Sequence, residues 1–309
     1  MRILITIFLF LFLSLLISLE KLQASDGYVE YAVEAEWIFF RPSVNSILVQ
    51  QSLAGPPLTA GISSTNKVLA FDFASGWRAG FNWESCNQCS GINFRWTQLH
   101  TDNHATYLGS DATPLDFAGG IAITEPLTER KRFSYHALEG LYYHNVCHCN
   151  CFNLEILAGA QYAWLVKRDR YTGATTLYKQ NSHTWGVGPE AGLDLKWNVW
   201  GPFALVGRGT CALLASRQHA SSIINISGIS SFPAGGAATD PLWSVIPTFD
   251  LRFGISYMAT FCYFNFYVEA GYEALIYNNA LVGANQGTFA QDAADATMQG
   301  PYISARIPF

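Results

Sequence analysis

Residues 243–258 read WSVIPTFDLRFGISYM. One set of alternate positions holds Trp243, Val245, Pro247, Phe249, Leu251, Phe253, Ile255 and Tyr257. The other holds Ser244, Thr248, Asp250, Arg252, Gly254 and Ser256, with Ile246 and Met258 dissenting. A two-residue period puts the two sets on opposite faces of one strand. Strands in soluble domains run about 5–6 residues, far shorter than this stretch. Its apolar face is aromatic at both ends and aliphatic between, the profile of a strand that crosses a bilayer in a closed barrel with a polar lumen.

The pattern recurs. In 68–84, Leu69, Phe71, Phe73, Trp77, Phe81 and Trp83 oppose Asp72, Gly76, Arg78, Gly80 and Asn82. In 183–199, Trp185, Val187, Ala191, Leu193, Leu195 and Trp197 oppose Glu190, Asp194, Lys196 and three glycines. Residues 152–164 and 264–276 repeat it, with Glu155, Glu269 and Glu273 on the polar face. Weaker copies lie at 28–41, 91–102, 202–216 and 299–309, and 133–146 is mixed.

The fold class expected is therefore all-β, a transmembrane antiparallel β-barrel of about ten strands with both termini periplasmic. The strands are 28–41, 68–84, 91–102, 133–146, 152–166, 183–199, 202–217, 243–258, 263–278 and 299–309; eight or twelve stay open if 103–132 or the mixed stretch is read differently. Long connections (42–67, 103–132, 167–182, 218–242, 279–298) alternate with short ones, as in outer-membrane barrels. Pro189 and Pro247 fall inside strands on the apolar face, where proline removes a ladder donor; bulges are the expected accommodation.

The chain opens on Met1-Arg2, an apolar run from Ile3 to Leu19, and EKLQA before Ser25. A basic start, an apolar core and a small residue at the cut describe a secretory signal peptide. This gives residues 1–24 as signal peptide and 25–309 as barrel. The alternative is a membrane anchor, since the run is near the lower limit for spanning. The final strand ends on an aromatic residue, Phe309, with Ile307, Ala305 and Ile303 on its face. Only 13% of residues are charged and the net charge is −5. No basic patch is interleaved with aromatics, so nucleic acid is not an expected partner. No motif calls for a cofactor.

Six of seven cysteines map to the short connections: Cys86, Cys89, Cys147, Cys149, Cys151 and Cys262, with Cys211 inside a strand. These six are disulfide candidates, within the chain or to other cysteine-containing envelope proteins, as suits an oxidising compartment. Zinc bound by Cys86, Cys89, Cys147 and His148 or Cys149 is a rival reading. So are thiols without a role.

Several segments, in order, resemble a known family: EAEWIFFRPS (34–43), FDFASGWRAGFNW (71–83), FRWTQLHTD (94–102), NLEILAGAQYAWL (153–165), WGVGPEAGLDLKWNVWGPFALVGRGTCALLAS (185–216) and GYEALIYNNA (271–280). The order resembles the Legionella-type pore-forming outer-membrane proteins, a group that includes the major-outer-membrane-protein-like proteins of chlamydia-related bacteria. The resemblance implies a porin-like barrel in the outer membrane of a Gram-negative bacterium, with no catalytic residues to transfer. The cysteine richness leans toward the chlamydia-related side, where disulfides between envelope proteins stiffen the wall.

The expected lumen charges are Glu30, Glu34, Glu36, Asp72, Glu155, Glu190, Asp194, Asp250, Glu269 and Glu273 against Arg78, Arg95, Lys196, Arg208, Arg252 and Arg306. Ten acids to six bases would line a mildly cation-favouring pore for ions and small solutes. Lumen glycines and alanines suggest open space. The alternative is a structural or adhesive protein, because narrow barrels can be filled by side chains. An enzyme is not expected, although His100, Asp102, His104, His183 and His219 all fall near the outer rim. Outer-membrane lipid is the obligatory partner, and a homo-oligomer stays open.

Overall fold

The computed structural model describes residues 29–44, 49–52, 64–67, 71–85, 90–107, 112–114, 127–149, 151–174, 176–226, 235–238, 240–261, 264–284 and 291–309. The strands are β1 (Val29–Val44), β2 (Val49–Ser52), β3 (Ser64–Lys67), β4 (Ala74–Ser85), β5 (Ser90–Tyr107), β6 (Ala112–Pro114), β7 (Leu127–Cys149), β8 (Phe152–Thr172), β9 (Thr176–Trp200), β10 (Phe203–Ile226), β11 (Gly235–Ala238), β12 (Leu242–Phe261), β13 (Phe264–Ala284) and β14 (Gln291–Pro308). Ten of them close a barrel in the ring order β12-β13-β14-β1-β4-β5-β7-β8-β9-β10, every pairing antiparallel. The first and last strands meet, Ala32 opposite Pro308, so no edge is left between the termini. β11 pairs antiparallel with the far end of β10, and β2, β3 and β6 form a separate small sheet. The 1–24 segment lies outside the described residues.

Alternation decides which way each side chain faces. Trp243, Val245, Phe249, Leu251, Phe253, Ile255 and Tyr257 are all exposed on the outer wall, while Ile246, Thr248, Asp250 and Arg252 are buried inside. The outer wall is aromatic at both margins, with Trp83, Trp197, Phe203 and Tyr257 toward the short turns and Trp164, Trp185 and Trp243 toward the other end. From Leu154 to Trp164 on β8 is ten residues, about 25 Å along the barrel axis at a tilt near 40° and about 3.3 Å per residue. That is the height of a lipid-facing band.

The short turns fall where expected; Gly201, at φ 53, makes the tight reversal between β9 and β10. At the opposite end the strands run on beyond the expected limits. The 167–182 connection is ladder almost throughout, Thr172 pairing with Leu177. β10 continues to Ile226 and β14 begins at Gln291. Beyond the bilayer the outer face turns polar while the inner face keeps buried aromatics such as Phe133 and Tyr171, so the alternation fades while backbone pairing persists.

No register shift occurs at either proline, contrary to the bulges expected. The β9–β10 ladder skips the pairs around Pro189 and resumes in the same register. The β12–β13 ladder begins only at Thr248, one residue past Pro247. Above that point β13 shifts register between Tyr277 and Leu281, with Asn279 at φ 54, and leans into the barrel. Thr184 Oγ1 donates to the Ala280 carbonyl at 2.5 Å and Gln218 Nε2 to the Asn279 carbonyl at 2.7 Å. The Val282 N–H donates to Ser182 Oγ at 3.1 Å. Ala280, Leu281 and Val282 are buried there, against β9 and β10.

Candidate functional site: the lumen and its two ends

A vestibule of about 410 Å³ opens at the short-turn end. Glu30, Glu34, Glu155, Asp194, Lys196, Arg208, Glu269 and Arg306 line it, as their alternation requires. Lys196 sits over the Tyr267 ring, 5.1 Å from its centre, and Arg208 lies 4.0 Å from Asp194.

The vestibule ends at a layer of ion pairs. Arg78 Nη1 meets Glu36 at 2.8 Å and its Nη2 meets Glu273 at 2.6 Å, while its Nε donates to Thr97 at 2.8 Å. Arg252 Nη1 takes the other Glu36 oxygen at 2.7 Å and its Nε takes Glu269 at 3.0 Å. Its guanidinium also stacks 3.7 Å over Tyr302. Arg95 pairs with Glu139 and reaches Asp250 at 3.6 Å. β5 and β12, which carry Arg95 and Asp250, are five strands apart in a ring of ten, so this pair spans the full diameter.

An uncharged layer follows. Tyr135 on β7 and Tyr277 on β13, again opposite strands, join hydroxyls at 2.7 Å. Gln161 Nε2 donates to the Tyr277 hydroxyl at 3.2 Å, and Thr248 Oγ1 donates to Gln161 Oε1 at 3.1 Å. Ile38, Phe40, Leu99, Phe133, Leu165, Leu214, Ile246, Leu275 and Met298 pack around them, buried. Beyond lie Lys131–Glu129 at 2.9 Å and Lys167–Asp169 at 3.0 Å, inside the strand extensions.

Twelve of the thirteen pore-lining candidates therefore face the lumen: Arg78, Arg95, Glu155, Glu190, Asp194, Lys196, Arg208, Asp250, Arg252, Glu269, Glu273 and Arg306. Asp72 does not. Residues 71–73 precede β4 and break the alternation, so Phe71 is buried in the uncharged layer while Asp72 is exposed and accepts from Asn103 Nδ2 at 3.1 Å. Glu139, Glu129, Lys131, Lys167 and Asp169 are lumen charges that the sequence reading missed. The glycines do not mark open space. A Cβ on Gly254 or Gly271 would meet the Tyr302 hydroxyl at 2.5 or 2.7 Å, so these positions make room for that ring.

The rim residues considered for catalysis lie on the outer wall rather than in the mouth. Asp102 accepts from Arg130 Nε at 2.8 Å and Arg132 Nε at 2.9 Å. The Arg130 and Arg132 hydrogen bonds hold its carboxyl down to about 2. His100 Nδ1 sits 2.7 Å from Ser134 Oγ, and His183 contacts Trp164. His104 and His219 face outward opposite Arg130 and His183 respectively.

Cys147 and Cys151 are exposed at the β7–β8 turn, and Cys211 is exposed on the lipid-facing wall. The connections between β4 and β5 and between β12 and β13 reverse at the same end. Cys86, Cys89 and Cys262 within them, and the side chains of His148 and Cys149, lie outside the described residues. Among the described residues no cluster of three or more His, Cys, Asp or Glu could hold a metal.

The family model described as the Legionella pneumophila major outer membrane protein precursor matches residues 27–309. The chain belongs to this family. It is accordingly an outer-membrane protein of the Gram-negative type, and the expected family is found; the chlamydia-related branch is not separately marked. No curated protein matches the chain. Among solved structures, the Escherichia coli outer membrane protease OmpT is similar at 11% identity and TM-score 0.40, covering 93% of this chain and 98% of that one. A major outer membrane protein from Thermus thermophilus aligns at 11% identity and TM-score 0.35, over 91% and 99%. Ail, the attachment invasion locus protein of Yersinia pestis, aligns at 9% identity and TM-score 0.30, over 92% and 100%.

Proposed function

We propose that this family member is a structural outer-membrane barrel, closed at rest by its own side chains. In this reading the long-loop end faces the medium and the short-turn end faces the periplasm, where the cysteines join the barrel to other envelope proteins. The observation that carries it is the pair of contacts across the full diameter, Arg95 to Asp250 and Tyr135 to Tyr277, at two successive heights. A hydrated ion would have to part a buried charged layer and then an aromatic one. Asp102, the carboxylate considered for catalysis at the rim, is committed to two guanidiniums on the outer wall. Residues 1–24 direct export and are removed in the course of it, which the mass of the envelope-isolated chain checks.

The test is a planar-bilayer recording on the refolded mature chain. The wild type is expected to be silent, and Arg95→Ala with Tyr135→Ala and Tyr277→Ala to give discrete steps. Steps from the wild type would overturn the closed reading. On non-reducing gels of intact envelopes the chain is expected to run in ladders that reductant collapses; a monomer band alone would remove the cross-linking role.

The second reading is a porin for ions and small solutes with mild cation preference. The vestibule favours it, since a charged, water-accessible funnel already reaches partway through the wall. Its lining, six carboxylates to five cations, is nearly balanced. A cation-selective reversal potential in the wild type would establish this reading instead.

A further inference from the structure

On the outer wall at the long-loop end, the register sets cation against cation. Arg130 stands opposite Arg170, Arg170 opposite Lys179, and Arg132 opposite Arg168. Side chains directly opposed on neighbouring strands have Cβ atoms about 5 Å apart, and like charges there weaken the pairing. Among the described residues one outward carboxylate answers these five cations: Asp102, which Arg130 and Arg132 share. Arg168 and Lys179 make no ion pair among the described residues. Among the described residues Arg170 reaches only Thr172 on its own strand, at 3.2 Å. These side chains border a groove of about 290 Å³. Asp169 also borders it but is buried and paired with Lys167 on the lumen side.

The height of the groove says what could fill it. Trp164 lies opposite His136 and Trp185, in the aromatic margin of the lipid-facing band. Arg132 and Arg168 come four residues beyond that row and Arg130 and Arg170 six. Four residues rise about 10 Å along the axis of a tilted strand. Long basic side chains cover such a distance by extending along the wall toward the headgroups. Guanidinium pairs hold phosphate through parallel hydrogen bonds. A free anion would satisfy the charge alone. A lipid would in addition lay its chains on Val166, Trp164 and Tyr162, which continue the same outward row down β8.

We propose that this groove binds the phosphorylated headgroup of a membrane lipid, held between Arg132, Arg168, Arg170 and Lys179 with its acyl chains against the β8 wall. Its assignment to the outer leaflet rests on the orientation proposed above, whereas binding itself does not.

The mature chain, folded in zwitterionic detergent micelles, is doped with bisphosphorylated lipid A or with the same lipid after dephosphorylation, and retention is read by native mass spectrometry. Wild type is expected to retain the phosphorylated form about tenfold better or more, the size one or two charge-assisted hydrogen bonds would carry. Arg132→Ala with Arg168→Ala and Arg170→Ala is expected to abolish that preference. Arg168→Ala alone, at an exposed position without an ion pair, should reduce it while the barrel stays folded. Equal retention of the two lipids, or an undiminished preference in both variants, would overturn the site. Displacement of the lipid by inorganic phosphate at matched concentration would overturn the lipid assignment in favour of a free anion.

Discussion

Arg78 and Arg170 belong to the same barrel wall, one turned to the lumen and the other to the outside, and their surroundings differ in kind. Arg78 is buried between Glu36 and Glu273, with Thr97 taking its remaining edge. Arg170 stands between Arg130 and Lys179 and meets no carboxylate among the described residues. The interior supplies its own counter-charges because a charge removed from water costs several kcal/mol unless paired. The outer patch stays hydrated until a partner arrives, so its charges can remain unanswered. Arg78 thus belongs to stability, and Arg170 is left to recognition.

The sharpest way to break this comparison is Arg78→Ala. It leaves Glu36 and Glu273 facing each other without their shared cation, and about 3–5 kcal/mol is expected to be lost, read as a lower urea midpoint of the barrel in lipid vesicles. A shift near zero would mean that the layer is hydrated enough to conduct, favouring the porin reading. Gly254→Val is next, driving a side chain into the Tyr302 hydroxyl and the Ala270 carbonyl, at a cost of about 1–3 kcal/mol. Adding Tyr302→Ala should return part of that loss; strictly additive effects in the double variant would refute the contact. Arg168→Ala is expected to leave stability within about 0.5 kcal/mol while lowering lipid retention, and a large unfolding shift would place it among the structural arginines.

The smallest effect is that of Asp102→Asn. Its folded carboxyl titrates at about 2 against an ordinary 3.8. A depressed carboxyl contributes stability that is fully present above its unfolded value and lost as pH falls through the folded one. Wild type and variant should therefore differ above about pH 4 and converge toward pH 2. A constant difference across that range would show that the arginine contacts do not depend on the charge.

The ten strands and their short turns were legible because lipid outside and charge inside produce a strong two-residue period, as in 243–258. β7 read as mixed for a physical reason. Its lumen face carries Phe133, Tyr135, Leu141 and Tyr143, and its outer face Arg130, Arg132, Ser134 and His136. Where the lumen is filled with aromatics and the exterior has left the membrane, polarity no longer marks the inside. The cation patch was hidden for that reason, and residues 71–73 fell short of the expected strand because they make no ladder pairing. Pairing across the diameter, such as Tyr135 with Tyr277, depends on ring order and stagger, which no local pattern encodes.

The inward lean of β13 has a mechanical consequence. Between Leu242 and Pro247, β12 is laddered to β10 alone, with no partner on its other side among the described residues. A cylinder resists prying because every stave is held on both flanks, and here one stave is held on one. Deformation of the wall would concentrate along this seam, and Pro247 sits at its lower end with no N–H to lend to an intruding chain.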